Sequence, residues 1–113
     1  MIQHHLERRL RTAAEQYTVV LLLKNYYNRG ATPDLYFWRD STGHEVDLLL
    51  DQGGELVPIE IKSGQTFAGD YLQGLTYWRS LPDQANARAA LVYGGDTSYL
   101  RQGIAVLSWQ HWE

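Results

Sequence analysis

Polar and apolar residues alternate most clearly between Glu45 and Lys62. The stretches Glu45-Val46-Asp47-Leu48-Leu49-Leu50-Asp51 and Glu55-Leu56-Val57-Pro58-Ile59-Glu60-Ile61-Lys62 both carry the two-residue period of a half-buried strand. Between them lies Gln52-Gly53-Gly54. A Gly-Gly pair suits a two-residue hairpin turn, because both residues take positive φ readily. Counting outward from that turn pairs Gln52 with Glu55, Leu50 with Val57, Leu48 with Ile59 and Val46 with Ile61. That face is apolar and belongs on a core. The opposite face pairs Asp47 with Glu60 and Glu45 with Lys62. Pro58 falls opposite Leu49, where this hairpin needs no N–H.

The pattern elsewhere predicts a simple order. Over residues 4–29, Leu6, Leu10, Ala13, Ala14, Tyr17, Val20, Leu21 and Lys24 recur at helical spacing, with Gly30 to end the helix and Pro33 beyond it. Residues 1–12 are polar and read as a frayed start or as the linker from a preceding domain. Residues 35–40 predict an aromatic strand, and Asp40-Ser41-Thr42-Gly43 a turn. A second helix is predicted over 68–80, with apolar Tyr71, Leu72, Leu75 and Trp78, and strands over 88–94 and 103–109. The expected fold is α/β, with the order α-β-β-β-α-β-β in one domain. Three antiparallel strands come first, and the second helix crosses over to a parallel fourth.

Composition narrows the function. With 113 residues, 44% hydrophobic and 20% charged, the chain suits one globular domain with a core. It has no cysteine, which excludes disulfides, thiolate metal sites and cysteine catalysis and is compatible with the cytoplasm, the expected location. The longest apolar run, Val19 to Leu23, is far shorter than the roughly 20 residues a spanning helix needs, so no membrane association is expected. A net charge of −3 argues against gripping nucleic acid by electrostatics alone. It weighs less against a metal-dependent enzyme, whose acidic site is partly neutralised by the ion. Arg8, Arg9 and Arg11 read as a solvated helix face.

The hairpin carries the chemistry. Directly opposed Cβ atoms lie roughly 5 Å apart, and like charges there are destabilising. Asp47 opposite Glu60 is therefore either a pair of exposed acids or a site for a divalent cation, which takes oxygen ligands at roughly 2.0–2.6 Å. Lys62 either completes that site or forms a salt bridge with Glu45.

Asp47 followed by Glu60-Ile61-Lys62, on a hairpin preceded by a helix carrying Glu15, resembles the PD-(D/E)XK nuclease superfamily. The longer string YFWRDSTGHEVDLLL…GGELVPIEIKSGQT resembles the nuclease-like domain of unknown function at the C-terminal end of many prokaryotic AAA+ ATPases. The likeness runs from about Ala13 to Tyr77. It implies a restriction-endonuclease-like core, α-β-β-β-α-β, with one extra C-terminal strand. It implies Mg²⁺ or Mn²⁺ held by Asp47, Glu60, the carbonyl of Ile61 and Glu15, with Lys62 assisting attack by water and Glu45 in support. Gln73 and Tyr77 have the QxxxY spacing of the exonuclease branch, which implies contact with DNA or phosphate, where the plain reading is solvent for Gln73 and helix packing for Tyr77. For Glu15 the plain reading is a solvated helix residue. DNA is the implied substrate, and an AAA+ ATPase module or a second copy the implied partner. The other reading is a catalytically silent interaction or regulatory module.

The chain departs from the resemblance at several places. Val46 stands at the proline position, Leu21 stands where relatives carry a second helix acid, and no GxxxxGK[ST] phosphate loop occurs. His44 reads as a turn residue without a role, and His4 and His5 lack a partner for a zinc site. Trp38, Trp78, Trp109 and Trp112 are expected mostly in the core, and incomplete burial of Trp109 and Trp112 would mark an interface.

Overall fold

The computed structural model describes residues 2–3 and 13–108. The predicted Gly-Gly turn forms, with φ of 65° at Gly53 and 92° at Gly54. It joins β3 (Glu45–Gln52) to β4 (Glu55–Ile61). The remaining elements are β1 (Ile2–Gln3), α1 (Ala13–Asn28), β2 (Asp34–Arg39), α2 (Gln73–Arg79), β5 (Ala90–Tyr93), β6 (Tyr99–Arg101) and β7 (Ile104–Ser108). The strands form one mixed sheet in the order β1-β2-β3-β4-β5-β7-β6. β4, β5 and β7 run parallel to one another, and the other neighbours are antiparallel. The fold is mixed α/β, as expected, with α2 on the crossover between parallel β4 and β5.

Side-chain alternation divides the core between the two sheet faces. Leu48, Leu50, Ile59 and Ile61 pack with Leu22 and Tyr26 of α1. Leu49 packs with Trp38 and Trp78, and Leu91 with Leu75, both against α2. The helices therefore cover opposite faces.

Several element bounds differ from expectation. α1 is described from Ala13, and residues 4–12 lie outside the described residues, as do Trp109 and Trp112. The second helix opens as a 3₁₀ turn over Gly69–Leu72 before α2 proper, which fits the low helix propensity of Gly69 and Gly74. Two strands follow β5 instead of one. The additional strand, β6, is three residues long and joined to β7 by Gln102-Gly103, with φ of 53° and 75°.

The largest departure from the expected pairing lies at the far end of the hairpin. The predicted pairs hold from Gln52↔Glu55 to Leu48↔Ile59 and then stop. The expected partners Val46–Ile61, Asp47–Glu60 and Glu45–Lys62 are not ladder pairs. The cause is on the other edge of β3. There Tyr36 pairs with Leu49, but Trp38 pairs with Val46, so Asp47 and Leu48 together face the single residue Phe37. This is a β-bulge, which bends the strand and re-aims its side chains. Val46 consequently leaves the α1 face and packs with Trp38, Leu49 and Trp78. Glu45 pairs with Arg39 across β2.

Candidate functional site

Asp47 occupies the bulge, and the strands separate beside it. Two hydrogen bonds between side chain and backbone bridge the gap where ladder bonds would continue. The Asp47 N–H donates to Glu60 Oε1 at 3.1 Å, and the Ile61 N–H donates to Asp47 Oδ2 at 2.8 Å. The two acids thus meet by reaching across the gap, and not as flat cross-strand neighbours. In an extended strand a residue's N–H and C=O leave on the same edge. The Ile61 carbonyl accordingly leaves β4 on the edge that faces Asp47.

Glu60 is 7% exposed. Burial, followed by the Asp47 charge, pushes its carboxyl up to about 8, against the opposing pull of Lys62. The Lys62 ammonium lies 3.9 Å from Glu60 Oε2 and 5.6 Å from the centre of the Tyr71 ring. Helix α2 supplies the lid over the carboxyl. A Cβ on Gly74 would sit 3.4 Å from Glu60 Oε1 and 3.3 Å from the Glu45 carbonyl. Absence of a side chain at Gly74 lets the helix settle onto the acid.

Among the described residues no group of three His, Cys, Asp or Glu side chains gathers as a metal cluster. Two carboxylates still suffice for Mg²⁺, which keeps several waters and often takes only one or two protein carboxylates. Glu60 favours such an ion. It is a buried acid beside a second acid, with one backbone N–H and one ammonium to balance it. Asp47, Glu60 and the Ile61 carbonyl fit a hard divalent cation. Glu15 lies on α1, but its side chain is outside the described residues.

The second predicted pair divides. Gln73 is exposed at the start of α2. The Tyr77 hydroxyl donates to Asp40 Oδ2 at 2.7 Å, and its ring stacks on His44 with centroids 3.7 Å apart and planes 2° from parallel. Asp40 Oδ1 accepts from the Thr42 N–H at 3.0 Å, the Thr42 hydroxyl at 2.8 Å and the His44 N–H at 3.0 Å. The Tyr77 hydroxyl and these further donors hold the Asp40 carboxyl well below the usual range. Sequence reading missed Asp40 and the partnership of His44 with Tyr77. The available signal was an Asp opening a polar turn, where its side chain commonly caps N–H groups a few residues on.

Residues 12–112 match the family described as DUF4143, a domain of unknown function. The chain belongs to the DUF4143 family. Among curated proteins nothing matches it. The DUF4143 match spans both helices and the whole β2–β7 sheet, so the acid pair and the Asp40 turn belong to the family domain. Among the described residues of this DUF4143 domain no helix is long and apolar enough to cross a membrane.

Proposed function

We propose that this DUF4143 domain is a metal-dependent phosphodiesterase of the PD-(D/E)XK type that acts on DNA in the prokaryotic cytoplasm. The observation that carries the reading is Glu60. A fold selected for stability alone gains little by burying a carboxyl against Asp47 and shifting it to about 8. Magnesium or manganese, when bound, would polarise the phosphodiester and lower the pKa of an attacking water. Asp47 and Glu60 would hold the ion, with the Ile61 carbonyl. Lys62, 3.9 Å from Glu60, orients the water and balances charge developing on the phosphate. Glu45, at the start of β3, adds negative charge near Glu60.

The test is cleavage of plasmid and single-stranded DNA with Mn²⁺ or Mg²⁺. Cleavage is expected in wild type and lost in Asp47→Ala and Lys62→Ala. Equal cleavage by the variants would refute these roles. A silent module that docks on an AAA+ ATPase or on a second copy is the second reading. It is favoured by the lack of a third acidic ligand among the described residues. Failure of Mn²⁺ to bind at millimolar concentration would select it.

A further inference from the structure

A line of cations and aromatic rings leads away from Lys62. The Lys62 ammonium lies 5.6 Å from the Tyr71 ring. Tyr71 meets Phe67 edge-on at 6.0 Å, and Phe67 meets Tyr99 edge-on at 6.1 Å. The Arg101 guanidinium lies 4.9 Å from the Phe67 ring centre. Tyr71, Phe67 and Tyr99 are half-buried, resting on the core beneath α2, and Arg101 is exposed on β6. Glycine at position 64 keeps the line continuous, since a Cβ there would lie 2.5 Å from the Tyr71 hydroxyl.

We propose that Lys62, Tyr71, Phe67, Tyr99 and Arg101 form a track for single-stranded DNA, running from the acid pair to the edge strand β6. This deepens the phosphodiesterase reading and rests on it for the substrate class. Aromatic rings between cations are the means by which proteins hold unpaired strands: bases stack on rings or on guanidinium planes, and phosphates meet the cations. A duplex keeps its bases in its own stack and offers these rings nothing. The chain's net charge of −3 points the same way. So few cations on an acidic protein hold phosphates weakly, which leaves stacking as the main source of affinity.

Fluorescence anisotropy in EDTA measures binding without cleavage. The probe is a labelled oligothymidylate of about 20 nucleotides, longer than the roughly 4–16 that one such surface covers. The single strand is expected to bind more tightly than a duplex of the same length. With two phosphate contacts, at Lys62 and Arg101, the slope of log affinity against log salt is expected near roughly −1.4. Phe67→Ala and Arg101→Ala should each weaken binding roughly tenfold. Phe67→Leu, which keeps the apolar volume but removes the ring, should do nearly the same. Arg88→Ala, at an ion pair with Glu55 beside the hairpin turn, should leave binding unchanged. Wild-type affinity in both Phe67→Leu and Arg101→Ala, or equal affinity for duplex, would overturn the track. Binding that follows these variants in a protein that never cleaves DNA would support the track and refute the hydrolytic reading alone.

Discussion

Asp40 and Glu60 both meet α2, one through Tyr77 and the other against Gly74, and their surroundings drive their acidities in opposite directions. Asp40 sits in a turn that aims two backbone N–H groups and two hydroxyls at it, and its charged form is strongly favoured. Glu60 is enclosed by the sheet and the helix, with one N–H, the Lys62 ammonium at 3.9 Å and a second carboxylate beside it, and its charged form is disfavoured. An acid surrounded by donors repays its place by holding a turn and a helix together. A buried acid with one N–H donor and one ammonium gains most when a cation from outside the chain completes it. That difference separates a structural carboxylate from a functional one here, although both are ordinary acids in the sequence.

Exchange of the two carboxylates should separate them most sharply in chemistry. Asp47→Asn should lower metal-dependent cleavage at least about a hundredfold while leaving the fold intact, and Asp40→Asn should leave the cleavage rate within severalfold. Equal losses in the two variants, measured as single-turnover rates, would erase the distinction between the carboxylates.

Stability should respond in the reverse sense. Glu60→Gln removes the proton uptake that folding imposes on Glu60 at pH 7 and keeps an oxygen for the Asp47 N–H. It should stabilise the metal-free protein by roughly 1–3 kcal/mol at pH 7 in urea unfolding. Asp40→Asn should lower the melting temperature. Destabilisation by Glu60→Gln would show that Glu60 is a structural acid after all.

The pH profiles sharpen the contrast. Glu60 has a folded-state pKa of about 8, above its ordinary 4.5, so between those values the folded protein binds more protons than the unfolded chain. Its contribution is therefore fully present below about 4.5 and is lost as pH rises toward 8. Asp40, held below its ordinary 3.8, contributes above that value and loses its contribution as pH falls further. Metal-free wild type should therefore lose stability from pH 5 to 8, and Glu60→Gln should flatten that slope, as chemical denaturation at each pH will show. Saturating Mn²⁺ should also flatten it.

The smallest expected effect concerns the lid. Gly74→Ala places a methyl group 3.3 Å from the Glu45 backbone carbonyl, which must give way by a few tenths of an ångström, and sets it against Glu60 Oε1 at 3.4 Å. Alanine also gains helix propensity of up to about 1 kcal/mol. Stability should change little, and Mn²⁺ affinity should fall severalfold in calorimetry.

Much of this was legible along the chain. Strand period, the Gly-Gly turn and the helical spacing gave the order of α1, β2, β3, β4, α2, β5 and β7, the parallel crossover and four of the hairpin pairs. Those are local signals, and local sequence sets them. The bulge was not legible, because it is decided by how β3 meets β2, and nothing in Val46-Asp47-Leu48 announces that Phe37 will face two residues. The same bulge sent Val46 to the other core. Asp47 and Glu60 were therefore foreseen as a pair, but by the wrong geometry. β6 escaped because three residues carry too little periodicity to stand out from a loop. Asp40 was read as part of a turn, and its bond to Tyr77, 37 positions away, is a contact that only the folded chain makes.

Isothermal titration of the metal-free protein with Mn²⁺ at pH 7, repeated in buffers of different ionisation enthalpy, decides whether Asp47 and Glu60 form a cation site. The expected result is one binding site that releases about one proton, supplied by Glu60, with both the binding and the proton release abolished in Glu60→Gln. Binding that persists unchanged in Glu60→Gln, or no binding in wild type at millimolar Mn²⁺, would show that the acid pair holds no ion.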